Sequence, residues 1–198
     1  REGDGETMTR IQTFLAVTMA GALVAGMATA ADKPVKIGMI TTLSGGGAAL
    51  GVEARDAFQL AIDLKGGKLG GVPTELIVAD DAQKVENAKQ IATRFLKKDD
   101  VDIVTGIVWS NLALAVVPSV TREGKIYVST NAGPHELAGK GCDKNYFNAA
   151  YQNDNLHEAA GQFVTDKGVK RVYLMAPNYP AGKDAANLLR NNIYVVAE

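Results

Sequence analysis

The sequence predicts an α/β fold, with parallel, doubly wound sheet in two lobes. Apolar, β-branched runs of strand length alternate with segments of helical period. The runs are near-continuous rather than alternating, the pattern of strands covered by helices on both faces. Stretches rich in Gly, Ser, Thr and Asn follow the runs, where a doubly wound sheet binds its ligands.

In order, the first strand is "VKIGMITT" (35–42). A helix over 49–64 follows, with Leu50, Ala54, Ala57, Phe58, Ala61 and Leu64 as its apolar stripe and Gly66-Gly67 as its stop. "TELIVAD" (74–80) is the second strand. The helix over 84–97 carries Val85, Ala88, Ile91, Ala92, Phe95 and Leu96 on one face. "VDIVTGIV" (101–108) is the third strand, and 111–123 is a helix that Pro118 should kink or split. "KIYVST" (125–130) is the fourth strand. A Gly-, Asn- and Pro-bearing stretch then breaks the rhythm as far as "YFNAAYQND" (146–154), which marks a boundary between lobes. Beyond it lie a helix at 155–167, a strand "RVYLMA" (171–176), a further helix and a last strand "IYVVA" (193–197). Two strands bury too little to stand alone, so the second lobe reads as incomplete.

Bulk composition narrows the class of partner. The chain has 198 residues, 46% hydrophobic, with a formal net charge of −1. That balance gives no electrostatic reason to expect nucleic acid. The N-terminus says more. From Met8, Arg10 supplies a short positive region, Phe14 to Val24 an uncharged apolar one, and Ala28-Thr29-Ala30 an A-x-A cleavage site. The apolar core falls short of the roughly 20 residues of a membrane span. Residues 8–30 therefore read as a signal peptide, and residues 1–7, "REGDGET", as an upstream extension. The lobes are expected at 31–150 and 151–198. Export makes the lone Cys142 a structural or unpaired thiol, and with only two His the chain builds no metal cluster around it.

The glycines of "TTLSGGGAALG" (41–51) pose the functional question. A phosphate-cradling loop needs Lys and Ser/Thr where Val52 and Glu53 stand. A dinucleotide fingerprint fails by one place, because Leu50 stands where Gly51 would be required. With Asp80 or Asp81 as a ribose ligand, that near-miss keeps a Rossmann-type oxidoreductase as the alternative. Ser44 lacks the first Gly of a nucleophile elbow. His135 and His157 fit surface positions, and Asp80-Asp81 fits a cap or hinge better than an acid-base pair. What remains is binding without catalysis. Gly admits close approach, Ser and Thr donate hydrogen bonds, and helix N-termini favour an anion. "LSGGGA", "WSNLA" and "STNAG" all supply that chemistry.

At these residues the chain resembles the type I periplasmic solute-binding proteins of ABC transporters, in the branched-chain amino acid (Leu/Ile/Val) group. "VKIGMITTLSGGGAALG", "GGKLGGVPTELIVADDAQKVENA", "STNAGPHEL" and "APNYPAGKD" carry the likeness, from about Lys33 to Asp184. The resemblance implies a type I periplasmic-binding-protein fold, two lobes on a hinge that close on a small molecule and deliver it to a membrane permease. It implies a periplasmic location, no enzymatic activity and no cofactor. Ligand-binding residues are then expected at Ser44, Gly45 and Leu50 in the first loop, and at Trp109, Ser110 and Asn111 after the third strand. Asn131, Ala132 and Gly133 after the fourth strand, and Tyr151 and Tyr179 from the second lobe, complete the set. Ser110 would donate to a carboxylate, while the Asn131 and Gly133 backbone would meet an ammonium or carboxylate. Leu50, Gly133 and Ala181 stand where the group often has larger side chains, so aromatic or other organic acids compete with leucine-type amino acids. The family continues for about another lobe beyond "NLLRNNIYVVAE", which makes this sequence read as truncated. A ligand sensor on the same fold is a further alternative.

Overall fold

The structure, a computed structural model, describes residues 33–191. The expected extension and signal peptide, and the expected strand 193–197, lie outside the described residues. From Pro34 onward the chain belongs to one compact unit. Its elements are β1 (Val35–Thr41), α1 (Ala48–Leu64), β2 (Lys68–Leu69), β3 (Val72–Asp80), α2 (Val85–Arg94), β4 (Ile103–Thr105) and α3 (Ser110–Arg122). They continue as β5 (Ile126–Ser129), α4 (His135–Ala138), β6 (Tyr146–Asn148), α5 (Asn153–Asp166) and α6 (Pro180–Asn191).

The sheet runs β2-β3-β1-β4-β5-β6. All pairings are parallel except the β2–β3 hairpin. The register brings the strand ends into line. Thr41 lies opposite Asp80, Met39 opposite Thr105, Thr105 opposite Val128, and Ser129 opposite Asn148. β3 and β4 flank β1 on opposite sides, so the winding reverses there and opens a crevice beyond the β1 and β4 carboxyl ends.

The core lies between this sheet and the helices α2 and α3. Phe95, Tyr127, Ile40, Val104, Leu112, Val116 and Val120 are each fully buried. The Phe95 ring covers the backbone of Gly38 in β1, where an added Cβ would stand 2.4 Å from Phe95 Cδ2. Phe95 opens the π-helical turn Phe95–Asp99 that directly continues α2, so that contact fixes how closely the end of α2 sits on the central strand.

Four expectations need correction. The third strand is Ile103–Thr105 rather than 101–108, because Gly106 takes φ +96 and turns the chain out of the sheet. Of the kinked or two-piece helix expected at 111–123, the two-piece form is not found: α3 starts at Ser110 and runs unbroken through Pro118. Pro118 is exposed, on the side where water meets a helical carbonyl left without its bond. α1 forms where expected but turns another face inward. It buries Gly51 and Ile62, with Arg55 and Phe58 half-buried between them, while Leu50 and Leu64 are 47% and 76% exposed. The cause is Gly51, which abuts the Thr42 carbonyl so closely that an added Cβ would lie 1.9 Å from the oxygen. The stretch 171–176 is not a strand. No strand of the described residues pairs with it, and Tyr173 and Met175 are almost fully exposed. Cys142 is free and exposed.

Candidate functional site

The loops at the crevice interlock through side chains. After β1, Gly45 takes φ +81, and Gly47 faces the indole of Trp109: an added Cβ would lie 2.3 Å from Trp109 Cζ2. The glycine-rich loop thus makes room for a tryptophan. Trp109 Nε1 donates to Thr42 Oγ1 at 2.9 Å, and Thr42 Oγ1 donates to Asp81 Oδ1 at 2.6 Å. Asp81 is fully buried and also accepts the Gln83 N–H at 2.8 Å. This bond spans a turn in which Ala82 and Gln83 both take positive φ, +48 and +59, a conformation that costs most L residues free energy.

The two adjacent carboxylates shift in opposite directions. Burial works to raise Asp80, but hydrogen bonds from the Ser44 hydroxyl and from the Leu43, Ala82 and Ser44 amides outweigh it, and the group lies below the ordinary carboxylate value. Burial raises Asp81; the Thr42 hydroxyl and the Gln83 amide offset it only in part, and the charge on Asp80 adds to the rise. Asp80 therefore takes up its proton at higher pH when unfolded than when folded. Its contribution to stability is complete above the unfolded value of about 3.9 and is lost as pH falls through the lower folded one. Asp80→Asn is expected to flatten the fall of melting temperature below about pH 4, measured by thermal melts across that range.

Two clefts adjoin this network. The larger, of about 320 Å³, is lined by Ser110, Asn131, Ala132, Tyr151 and Tyr179 among the expected residues. The other, of about 290 Å³, is lined by Trp109, Asn111 and again Tyr179. Pro177 and Tyr179 wall both, and the Tyr179 ring meets Trp109 edge to face at 6.1 Å. Ser44, Gly45, Leu50 and Gly133 line neither cleft. Ser44 serves Asp80, and exposed Leu50 lies on α1. Gly133 is buried against the Tyr151 carbonyl, where an added Cβ would stand 2.1 Å from the oxygen.

Sequence reasoning missed the polar floor of the larger cleft. Asn153, the first residue of α5, donates from Nδ2 to Asp184 Oδ2 at 3.1 Å and to Ser110 Oγ at 3.4 Å. Asp184 lies 3.5 Å from His135 Nδ1, and Asp154 lies 3.8 Å from the same nitrogen. Burial raises the Asp154 carboxyl; His135 opposes that rise, and the Asp184 charge adds to it. The signal available was "QND" at a helix start, an amide and an acid beside a boundary between elements. Nothing in it points to residue 184. His135, Glu136 and Asp184 bring ligand-type atoms within 4.8 Å of one another, but Asp184 is already engaged by Asn153 and His135.

Chemically, the α3 N-terminus is the anion-accepting element. The Ser110 and Asn111 N–H groups precede the first intrahelical bonds, and the positive end of the helix dipole lies behind them. Ser110, 2% exposed, adds a hydroxyl. Tyr179, Pro177 and Leu156 supply apolar wall. The arrangement suits a carboxylate attached to an apolar body.

Residues 34–193 match the periplasmic binding protein family. The Leu/Ile/Val-binding protein BraC3 of Rhizobium johnstonii is 28% identical over 179 residues, which cover 87% of this chain and 48% of BraC3. An ABC transporter solute-binding protein from R. palustris, solved in complex with benzoate, is similar at a TM-score of 0.78 and 25% identity, over 81% of this chain and 45% of that one. The leucine binding protein LivK of Thermotoga maritima shares the fold at a TM-score of 0.71 and 23% identity, over 80% of this chain and 45% of LivK. The chain spans about half the length of the relatives it matches. With its parallel sheet, its crevice at the winding reversal and this match over most of its length, the chain belongs to the periplasmic binding protein family.

Proposed function

We propose that this chain is the ligand-capturing part of an ABC import system: it holds a small carboxylate-bearing molecule between two lobes and presents it, chemically unchanged, to a membrane permease. The reading places the protein in the periplasm, exported by residues 8–30, with a second lobe beginning near Tyr151. The observation that carries it is the α3 N-terminus, with buried Ser110 at the winding reversal and an aromatic wall beside it. Ser110 and the α3 amides anchor the carboxylate. Asn131 and Ala132 bound its polar end, and Trp109, Asn111, Tyr151 and Tyr179 enclose its body. Ser44, through Asp80, and Gly133, against the Tyr151 carbonyl, support these loops from behind. A dinucleotide reading fits less well, because the Trp109 indole fills the space above Gly47 that a pyrophosphate would need.

Two ligand classes compete, aromatic acids and leucine-type amino acids. The benzoate complex of the R. palustris protein supports the first, and the name of BraC3 the second. Isothermal titration of the full chain with benzoate and with leucine tests both. Binding of either one supports the reading, and heat from neither sinks it. Ser110→Ala is expected to weaken the bound acid by about 10- to 150-fold, the worth of a hydrogen bond to a charged group. An unchanged affinity would remove Ser110 from the site.

A further inference from the structure

We propose that Asp81 is a positioning residue that fixes the Trp109 indole, through Thr42, as a wall of the ligand cleft. The inference rests on the carboxylate-binding reading only in calling that cleft a ligand site. The direction of the hydrogen bonds is forced by chemistry. An indole Nε1–H only donates, so Thr42 Oγ1 must accept at 2.9 Å. The hydroxyl has one proton of its own, and Asp81 Oδ1 takes it at 2.6 Å. A carboxylate at the end of the chain therefore sets the polarity of the whole series.

Two consequences follow for the cleft. The only polar atom of the indole is spent inside the protein, so Trp109 turns plain aromatic surface toward Tyr179 and the ligand space. The same Asp81 oxygen holds the Gln83 amide at 2.8 Å, and Gln83 lines the same cleft as Trp109. One fully buried carboxylate thus places two lining residues that belong to different loops. Gly47 closes the arrangement from the other side, since any side chain there would overlap the ring.

Trp109 is the only tryptophan in the sequence, so its signals need no deconvolution. In the ligand-free full chain, the single indole N–H resonance is expected to exchange slowly with solvent. Thr42→Val removes acceptor and donor at nearly constant shape, and should raise that exchange rate and red-shift the emission. The expected change is about fivefold in exchange, the population worth of one net hydrogen bond. Thr42→Ser keeps the hydroxyl and should restore both signals. An indole proton exchanging at the solvent-limited rate in the unmodified chain overturns the proposal, and that measurement needs no variant to fold. So does a Thr42→Val chain with unchanged exchange and emission, or a Thr42→Ser chain that fails to recover them. Because no ligand is present, a failure here is separate from a failure to bind benzoate or leucine.

Discussion

Truncating Phe95 to alanine is expected to cost the fold about 3–5 kcal/mol, the range for removing a fully buried aromatic ring from a core. The ring is wholly buried and lies on the Gly38 backbone, and Ile40, Val101 and Val104 belong to the same buried cluster. No neighbour can collapse into its place without moving α2 relative to β1. Urea denaturation of the full chain measures the loss as a lower midpoint at an unchanged slope. Phe95→Leu keeps most of the apolar volume and should cost distinctly less. Equal costs for the two variants would mean that the contact with Gly38, and not the volume, dominates.

Gly133→Ala is expected to be a damaging one-carbon change near the site, for stability and for binding together. The new methyl would stand 2.1 Å from the Tyr151 carbonyl oxygen and 3.1 Å from the Gln152 Cα, both backbone atoms with no rotamer to yield. Overpacking of this kind costs about 1–3 kcal/mol. The damage extends to function because the Asn153 N–H donates to the Gly133 carbonyl at 2.8 Å. Displacing that segment pulls the Asn153 amide away from Ser110 and Asp184. A melting temperature lowered together with weaker acid binding is the expected pair of results. Loss of stability at full affinity would show that the two regions are independent.

The alternation of strand and helix was legible because it depends on local pattern. "VKIGMITT" and "TELIVAD" became β1 and β3 with few changes at their ends. The errors came from contacts and pairings that local periodicity does not record. The face of α1 was set by Gly51 against Thr42, a backbone approach that apolar periodicity does not encode. The stretch 171–176 has the composition of a strand, but a strand exists only beside a partner, and no strand of the described residues lies beside it. β2 and β6, of two and three residues, are too short to show any period. For the candidate site, the sequence pointed to loops at the carboxyl ends of the strands. Ser110, Asn131 and Tyr179 do line the clefts, whereas the roles of Asp81 and Asn153 depend on hydrogen bonds between residues 31 to 43 positions apart.

Pro177 and Tyr179 stand at the end of that stretch, which pairs with no strand of the described residues, and they wall both clefts. The local backbone bonds that hold them are Tyr179 N–H to Pro177 O and Lys183 N–H to Tyr179 O, at the start of α6. A ligand pressed against such a wall must also select the arrangement of the chain that supports it. Its apparent affinity is multiplied by the fraction of molecules already in that arrangement. Any structure that paired 171–176 into a sheet would raise that fraction, and tighten binding without touching the ligand.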